Sequence, residues 1–417
     1  MNASSADNSR AYEVDAAAVT AICSSAQATT ARVRSLLRRW SPSEARVRLI
    51  DRSAEALRAL TDDGCRASSS VVAEWGKSVQ AQPLERILDD LRARQEMVWW
   101  SRPSIAGDTA PMAEADSAVS GRSESDHALL YELLSDDDDH PPVLFLQGDV
   151  DALRRPRVAI VGTRNATSLG REMARTLGRE LSDRGVAVIS GLALGIDAAA
   201  HLGAVASAVA RPVGVVGSGL GVRYPSANRR LWSEVAERGL LMSELPFDHG
   251  PTPSTFPARN RIIAQLAQVV VVVESAATGG SLITVDRALE RGRPVLAVPG
   301  SPLSPVSAGT NELLRAGLLG PIALPCLGVA DVLTLLDLEV VSNVDYIDNR
   351  PALSSSDEQL LHALGWDELS IGAVSARLAV VEQPRSLAEV SLGLARLEEM
   401  GWVTRIGGRW RRVGLMP

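Results

Sequence analysis

A chain of 417 residues, 46% of them hydrophobic, has length for two or three domains and at least one large core, and no run reaches the roughly 18 apolar residues of a membrane helix. The net charge of −7 argues at first sight against a nucleic-acid partner, yet from Arg157 to Gly320 there are 17 Arg against 12 Asp and Glu, so the acid lies elsewhere. Cys23, Cys65 and Cys326 lie far apart, and the five histidines are scattered, which excludes a disulfide framework and any metal-ligand spacing and fits a reduced, cytoplasmic protein.

The N-terminus, MNASSADNSRAYEVDAA, has neither the basic nor the apolar region of a signal peptide. Residues 1–101 read as a helical N-terminal domain, because apolar residues recur at helical spacing in TTARVRSLLRRW, EARVRLIDRSAEALRAL and PLERILDDLRARQEMVWW. Residues 102 to about 126 are small, polar and aperiodic and an acidic cluster follows at 136–139, so 102–140 reads as a flexible linker or insertion.

Residues 141–340 change character. RVAIVG, VAVISG, VGVVGSG, GLLMSE, VVVVVES and RPVLAVPG are short β-branched runs about 25 residues apart, most followed by an amphipathic stretch. Runs buried on both faces predict an α/β fold, an extended Rossmann-like, doubly wound parallel sheet. Ligands bind such sheets at the carboxyl ends of the strands. Residues 341–356 form a second linker. Residues 357–417 predict three helices and a hairpin turning at Gly407-Gly408, the order of a C-terminal winged-helix domain.

The candidate site residues fall at those strand ends. Gly162, Thr163 and Arg164 follow the first core strand, and a helix opening near Thr167 and Ser168 would offer its backbone amides to a phosphate. Ser190 and Gly191 follow the second strand, where a dinucleotide site would carry an acid. Gly217 and Gly219 follow the third. Asp197 and His201, four apart, read as a helix pair rather than a catalytic couple. In STFPARNR, Pro257 suits a first helical turn, while Phe256 offers a ring and Arg259, Asn260 and Arg261 crowd a helix start. Guanidiniums there oppose the helix dipole unless an anion is present, and the reading is that one of the two pairs with Glu244 or Glu274 while the other faces a ligand. Gly279, Gly280, Ser281 and Thr284 form a further glycine-rich helix entry. Lys77 is the only lysine, so the positive charge is nearly all guanidinium, which suits forked contacts to phosphate. No Ser-His-Asp set and no GxxxxGK[ST] loop is present, so the expectation is a binding protein without a catalytic centre, cofactor or metal.

Taken in order, PPVLFLQGD, GTRNATSLG, SGLALGIDAAAH, GSGLGVRYP, LMSELPFDHGPTPSTFPARNRIIA, VVVVESAATGGSLIT and VLAVPGSPLSPVSAGTNELLRAG resemble the DNA-processing protein A (DprA/Smf) family over about Pro141 to Gly317. The resemblance implies a non-enzymatic protein that binds single-stranded DNA, forms homodimers and loads the RecA recombinase during natural transformation, with Arg164, Phe256, Arg259, Asn260 and Arg261 lining the DNA pocket. The sequence departs from the family at Gln265, where a glycine is usual, in residues 102–126, and in the absence of a helix-hairpin-helix glycine pattern near ATTARVRSLLRRW. A nucleoside-monophosphate phosphoribohydrolase of similar fold is the alternative, but TGGSLITVD lacks the glutamate of that family's PGGxGTxxE motif. A winged-helix transcription factor is the third, against which SLAEVSLGLARLEEM is acidic on balance.

Overall fold

The computed structural model describes residues 3–100, 124–134, 139–315, 322–338, 353–365, 368–380 and 384–412. Among these, nine strands form one sheet: β1 (Met97–Trp100), β2 (Val143–Gly148), β3 (Arg157–Val161), β4 (Ala187–Ser190), β5 (Val213–Val215), β6 (Leu240–Ser243), β7 (Val269–Val272), β8 (Val295–Ala297) and β9 (Leu324–Pro325). Their order is β1-β2-β6-β5-β4-β3-β7-β8-β9. From β6 to β9 every pairing is parallel, while β1 and β2 add antiparallel at the β6 edge. All six β-branched runs are strands, and period-two alternation sends their side chains to opposite layers. Val158, Ile160, Val269 and Val271 face one layer, whereas Ala159, Val161, Val270 and Val272 face the other.

Six helices precede the sheet: α1 (Ala3–Cys23), α2 (Thr30–Leu37), α3 (Pro42–Asp51), α4 (Ser53–Asp62), α5 (Ser69–Gln80) and α6 (Leu84–Arg94). The helical reading of residues 1–101 is corrected at its end. Gln95 takes a left-handed conformation and stops α6, and Met97–Trp100 pairs with β2 as a strand buried on both faces. These helices also share one apolar core with the sheet, where Leu36, Leu60 and Trp75 join Val143, Phe145 and Leu241. Residues 1–338 accordingly form one compact unit, without a break near residue 101.

The expected linker over 102–140 lies largely outside the described residues, but Glu124–Leu134 is a helix, α7. Its Leu130 and Leu134 are fully buried, and Gln265 donates from its amide to the Leu134 carbonyl at 2.8 Å. Gln265, where the family resemblance leads one to expect glycine, thus serves the C-terminal end of α7. One layer over the sheet comprises α8 (Ser168–Asp183), α9 (Ile196–Ala204) and, later in the chain, α14 (Val329–Leu335). Next in order come α10 (Arg229–Arg238), α11 (Thr255–Leu266), α12 (Ser281–Leu289) and α13 (Ala308–Arg315), and α11 and α12 cover the opposite layer with α7.

The second unit, residues 339–417, carries α15 (Ser355–Leu364), α16 (Ile371–Val380), α17 (Leu387–Glu399) and a hairpin of β10 (Val403–Ile406) and β11 (Arg409–Arg412). Leu369 bridges Trp410 on that hairpin. Of the expected linker at 341–356, residues 341–352 lie outside the described residues, and its last residues already start α15, which Ser354 caps. Among the described residues, no helix is long and apolar enough to cross a membrane.

Glu96, between α6 and β1, is 2% exposed, and neither carboxyl oxygen has a hydrogen-bond partner among the described residues. Burial pushes its carboxyl up to about 7, against the pull of Arg94. The folded protein therefore favours the protonated form. The stability this confers is full below the unfolded value near pH 4 and is lost as pH rises through about 7, up to about 3 kcal/mol. Thermal melts of Glu96→Gln and the parent at about pH 5 and pH 8 should diverge, with the variant gaining relative to the parent at the higher pH. Parallel profiles would contradict this.

Candidate functional site

The chain leaves β3 and β7 side by side but in opposite directions, β3 to α8 on one layer and β7 to α12 on the other. The loops after them diverge and open a cleft of about 720 Å³ at the carboxyl edge of the sheet, where doubly wound folds place ligands. Ten of the candidate residues line it: Gly162, Thr163, Arg164, Phe256, Arg259, Asn260, Gly279, Gly280, Ser281 and Thr284. Gly191 and Gly217 line a small adjoining pocket with Arg164, Phe256 and Arg259.

The start of α8 is not open to a phosphate, contrary to the sequence expectation. Thr167 caps the helix, accepting from the Gly170 amide at 3.0 Å. The Glu274 carboxylate accepts from the Thr167 amide at 2.9 Å and from its hydroxyl at 2.6 Å. A Cβ on residue 170 would lie 2.3 Å from that carboxyl carbon, so glycine makes room for it. The dipole has its negative charge, and it comes from β7's own exit loop. The Glu274 carbonyl further accepts from the Thr163 amide at 2.7 Å, which holds the Arg164 loop in place.

Arg164 itself is exposed, and its guanidinium lies 5.0 Å from the centroid of the Phe256 ring. Tyr224, 43% exposed, stands beside it, its ring centroid 5.5 Å from that of Phe256 at an interplanar angle of 39°. A cation and two rings at one mouth can bind an anionic group and stack a flat one. Asn260 donates to the Gly280 carbonyl at 3.3 Å and ties α11 to the opposite lip, while the Ser281 hydroxyl donates to Ser275 at 2.9 Å.

Beneath this mouth Arg259 is 6% exposed. One of its terminal nitrogens donates to the Val215 carbonyl, and its Nε has no partner among the described residues. The guanidinium lies flat on Gly191, where a Cβ would sit 1.9 Å away. Burial pulls its pKa down to about 10, partly offset by Asp197. Asp197 accepts from the Gly191 amide at 3.1 Å, and burial pushes its carboxyl up. His201 is fully buried against the Val213 carbonyl at 3.1 Å, and burial pulls its pKa to about 4. The two are not coupled to one another in a catalytic pair.

Three candidates do not reach the cleft. The Ser190 hydroxyl is buried in the sheet, donating to the Ile160 carbonyl at 2.6 Å. Gly219 lies against the backbone of Pro246 and Phe247, and its amide donates to His249 at 2.8 Å. Arg261 pairs with Glu244 at 2.5 Å and with Asp139 at 3.4 Å, and its side chain is 6% exposed. Sequence reading missed Tyr224 and the capping role of Glu274. The aromatic in RYP just after a glycine-rich loop was the available signal for the first, whereas nothing local marks the second. Among the described residues no group of three His, Cys, Asp or Glu could hold a metal ion.

The family described as DNA recombination-mediator protein A matches residues 125–322 of the chain. A DNA processing protein DprA from Streptococcus pneumoniae is 41% identical over 184 residues, covering 44% of this chain and 64% of that protein. The chain thus spans less than two thirds of that relative. Protein Smf from Escherichia coli is 34% identical over 282 residues, 66% of this chain and 72% of the relative. The X-ray structure of DNA processing protein A from Streptococcus pneumoniae superposes with a TM-score of 0.55 at 28% identity, covering 78% of this chain and 97% of that one.

Proposed function

The chain belongs to the DprA/Smf family, and from that premise we propose that its cleft binds single-stranded DNA with little sequence preference. The observation that carries the reading is the Arg164 guanidinium poised over Phe256, with Tyr224 beside it. A cation for the backbone and faces for the bases are what strand binding without base readout requires. The carboxylates near the cleft support a binding role over a catalytic one, because Glu274 is engaged at the helix start and Asp197 at the Gly191 amide. On this reading the protein protects incoming strands in the cytoplasm, acts as a homodimer and hands DNA to the RecA recombinase as a recombination mediator.

The test is a binding titration with matched single- and double-stranded oligonucleotides at two salt concentrations. Single-stranded DNA should bind much more tightly, and each neutralised phosphate should add about −0.7 to the log–log salt slope. Equal affinity for the two forms would overturn the reading.

A further inference from the structure

Helix α8 leaves the Arg164 loop with arginines at 171, 175 and 179, a spacing of four, so all three lie along one side of the helix. At a rise of about 1.5 Å per residue they stand roughly 6 Å apart, comparable with successive phosphates of an extended single strand. All three are exposed. Among the described residues none forms an ion pair with a carboxylate, although Glu172, Glu180 and Asp183 share the helix, and Glu180 is taken by Arg184 at 3.5 Å. On other helices Arg230–Glu234 and Arg315–Glu312 pair within a turn, while exposed Arg58, Arg86 and Arg229 also lack an ion pair among the described residues, each singly rather than in a row. Arg171 donates to the Ala166 carbonyl and so also braces the loop that carries Arg164. Met173, Leu177 and Leu181 bury the other side of α8, which gives the row a rigid base.

We propose that Arg171, Arg175 and Arg179 form a phosphate track that carries single-stranded DNA away from the cleft, down the flank of the sheet. The inference rests on the single-strand reading of the cleft and deepens it. The cleft holds a short segment. The track adds contacts for the strand that continues past Arg164, and it makes affinity depend on strand length.

The variant Arg175→Glu/Arg179→Glu leaves Arg171 and its brace intact, and Arg175→Gln/Arg179→Gln removes charge without reversing it. Each is titrated by fluorescence anisotropy with oligothymidylates of about six and about 25 nucleotides, lengths spanning one and several contact sites. The expected result is a loss of tenfold or more on the long strand for the Glu variant, with the short strand within twofold of the parent. The salt slope on the long strand should shrink by about 1.4 in the Gln variant, two phosphate contacts at about 0.7 each. Unchanged long-strand affinity in both variants, while the parent binds both lengths, overturns the track alone. Equal losses on both lengths also overturn it, because they move these arginines into the cleft. If the parent binds neither length, the single-strand reading itself falls, and the track with it.

Discussion

Replacing Arg164 by Ala is expected to weaken single-stranded DNA binding tenfold or more and to leave the melting temperature nearly unchanged. Its side chain is exposed and stands over Phe256 without an ion pair among the described residues. Folding therefore loses little when it is removed. Binding loses a charged contact to phosphate, about 1.5–3 kcal/mol for a hydrogen bond to a charged group, and the cation over the ring. Anisotropy titrations together with thermal melts separate the two quantities. A variant that binds as tightly as the parent would move the DNA site away from this loop.

Arg261→Ala should do the reverse. Arg261 and Glu244 have side chains 6% and 12% exposed, and their 2.5 Å contact is the shortest link of a network that extends outward to Asp139 and Arg34. Burial pushes the Glu244 carboxyl up and Arg261 opposes that shift. Removing the guanidinium leaves a buried carboxylate without its nearest cation, a loss of about 3–5 kcal/mol for a broken buried pair. For a unit of this size, residues 1–338, the melting temperature should fall by roughly 4–7 °C. DNA affinity of the folded protein, measured well below the transition, should stay within threefold of the parent, because Arg261 does not line the cleft. Arg259→Ala, by contrast, should lose both, since that side chain lines the cleft and also neutralises Asp197. An Arg261→Ala variant with parental stability and reduced affinity would mean that the two arginines have exchanged roles.

Much of the fold was legible because it is written locally. The β-branched runs bounded by Gly, Ser or Glu became β3 to β8, since a strand buried on both faces needs an unbroken apolar run and a turn residue to leave the sheet. The strand ends then predicted which edge holds the site. What was illegible depended on partners distant in sequence. MVWW continues the helical spacing of α6, and only pairing with Val143–Leu146 makes it a strand. HALLYELL, which carries Leu130 and Leu134, lies between the polar 102–126 segment and the acidic 136–139 cluster, and the sheet's apolar layer shows that α7 belongs to the core.

The sequence by itself determined the six-strand parallel core, the edge at which ligands gather, and the residue types brought there. It also determined that Arg259 and Arg261 oppose each other, because two residues along a helix turn the chain by about 200°. It could not say which one faces the cleft. That was decided by Gly191 beneath one face of α11 and Glu244 beside the other, residues 68 and 17 positions away. The anion at the start of α8 was decided the same way: the helix dipole calls for a negative charge, and Glu274, 107 residues beyond Thr167, supplies it only because β7 lies next to β3 in the folded sheet.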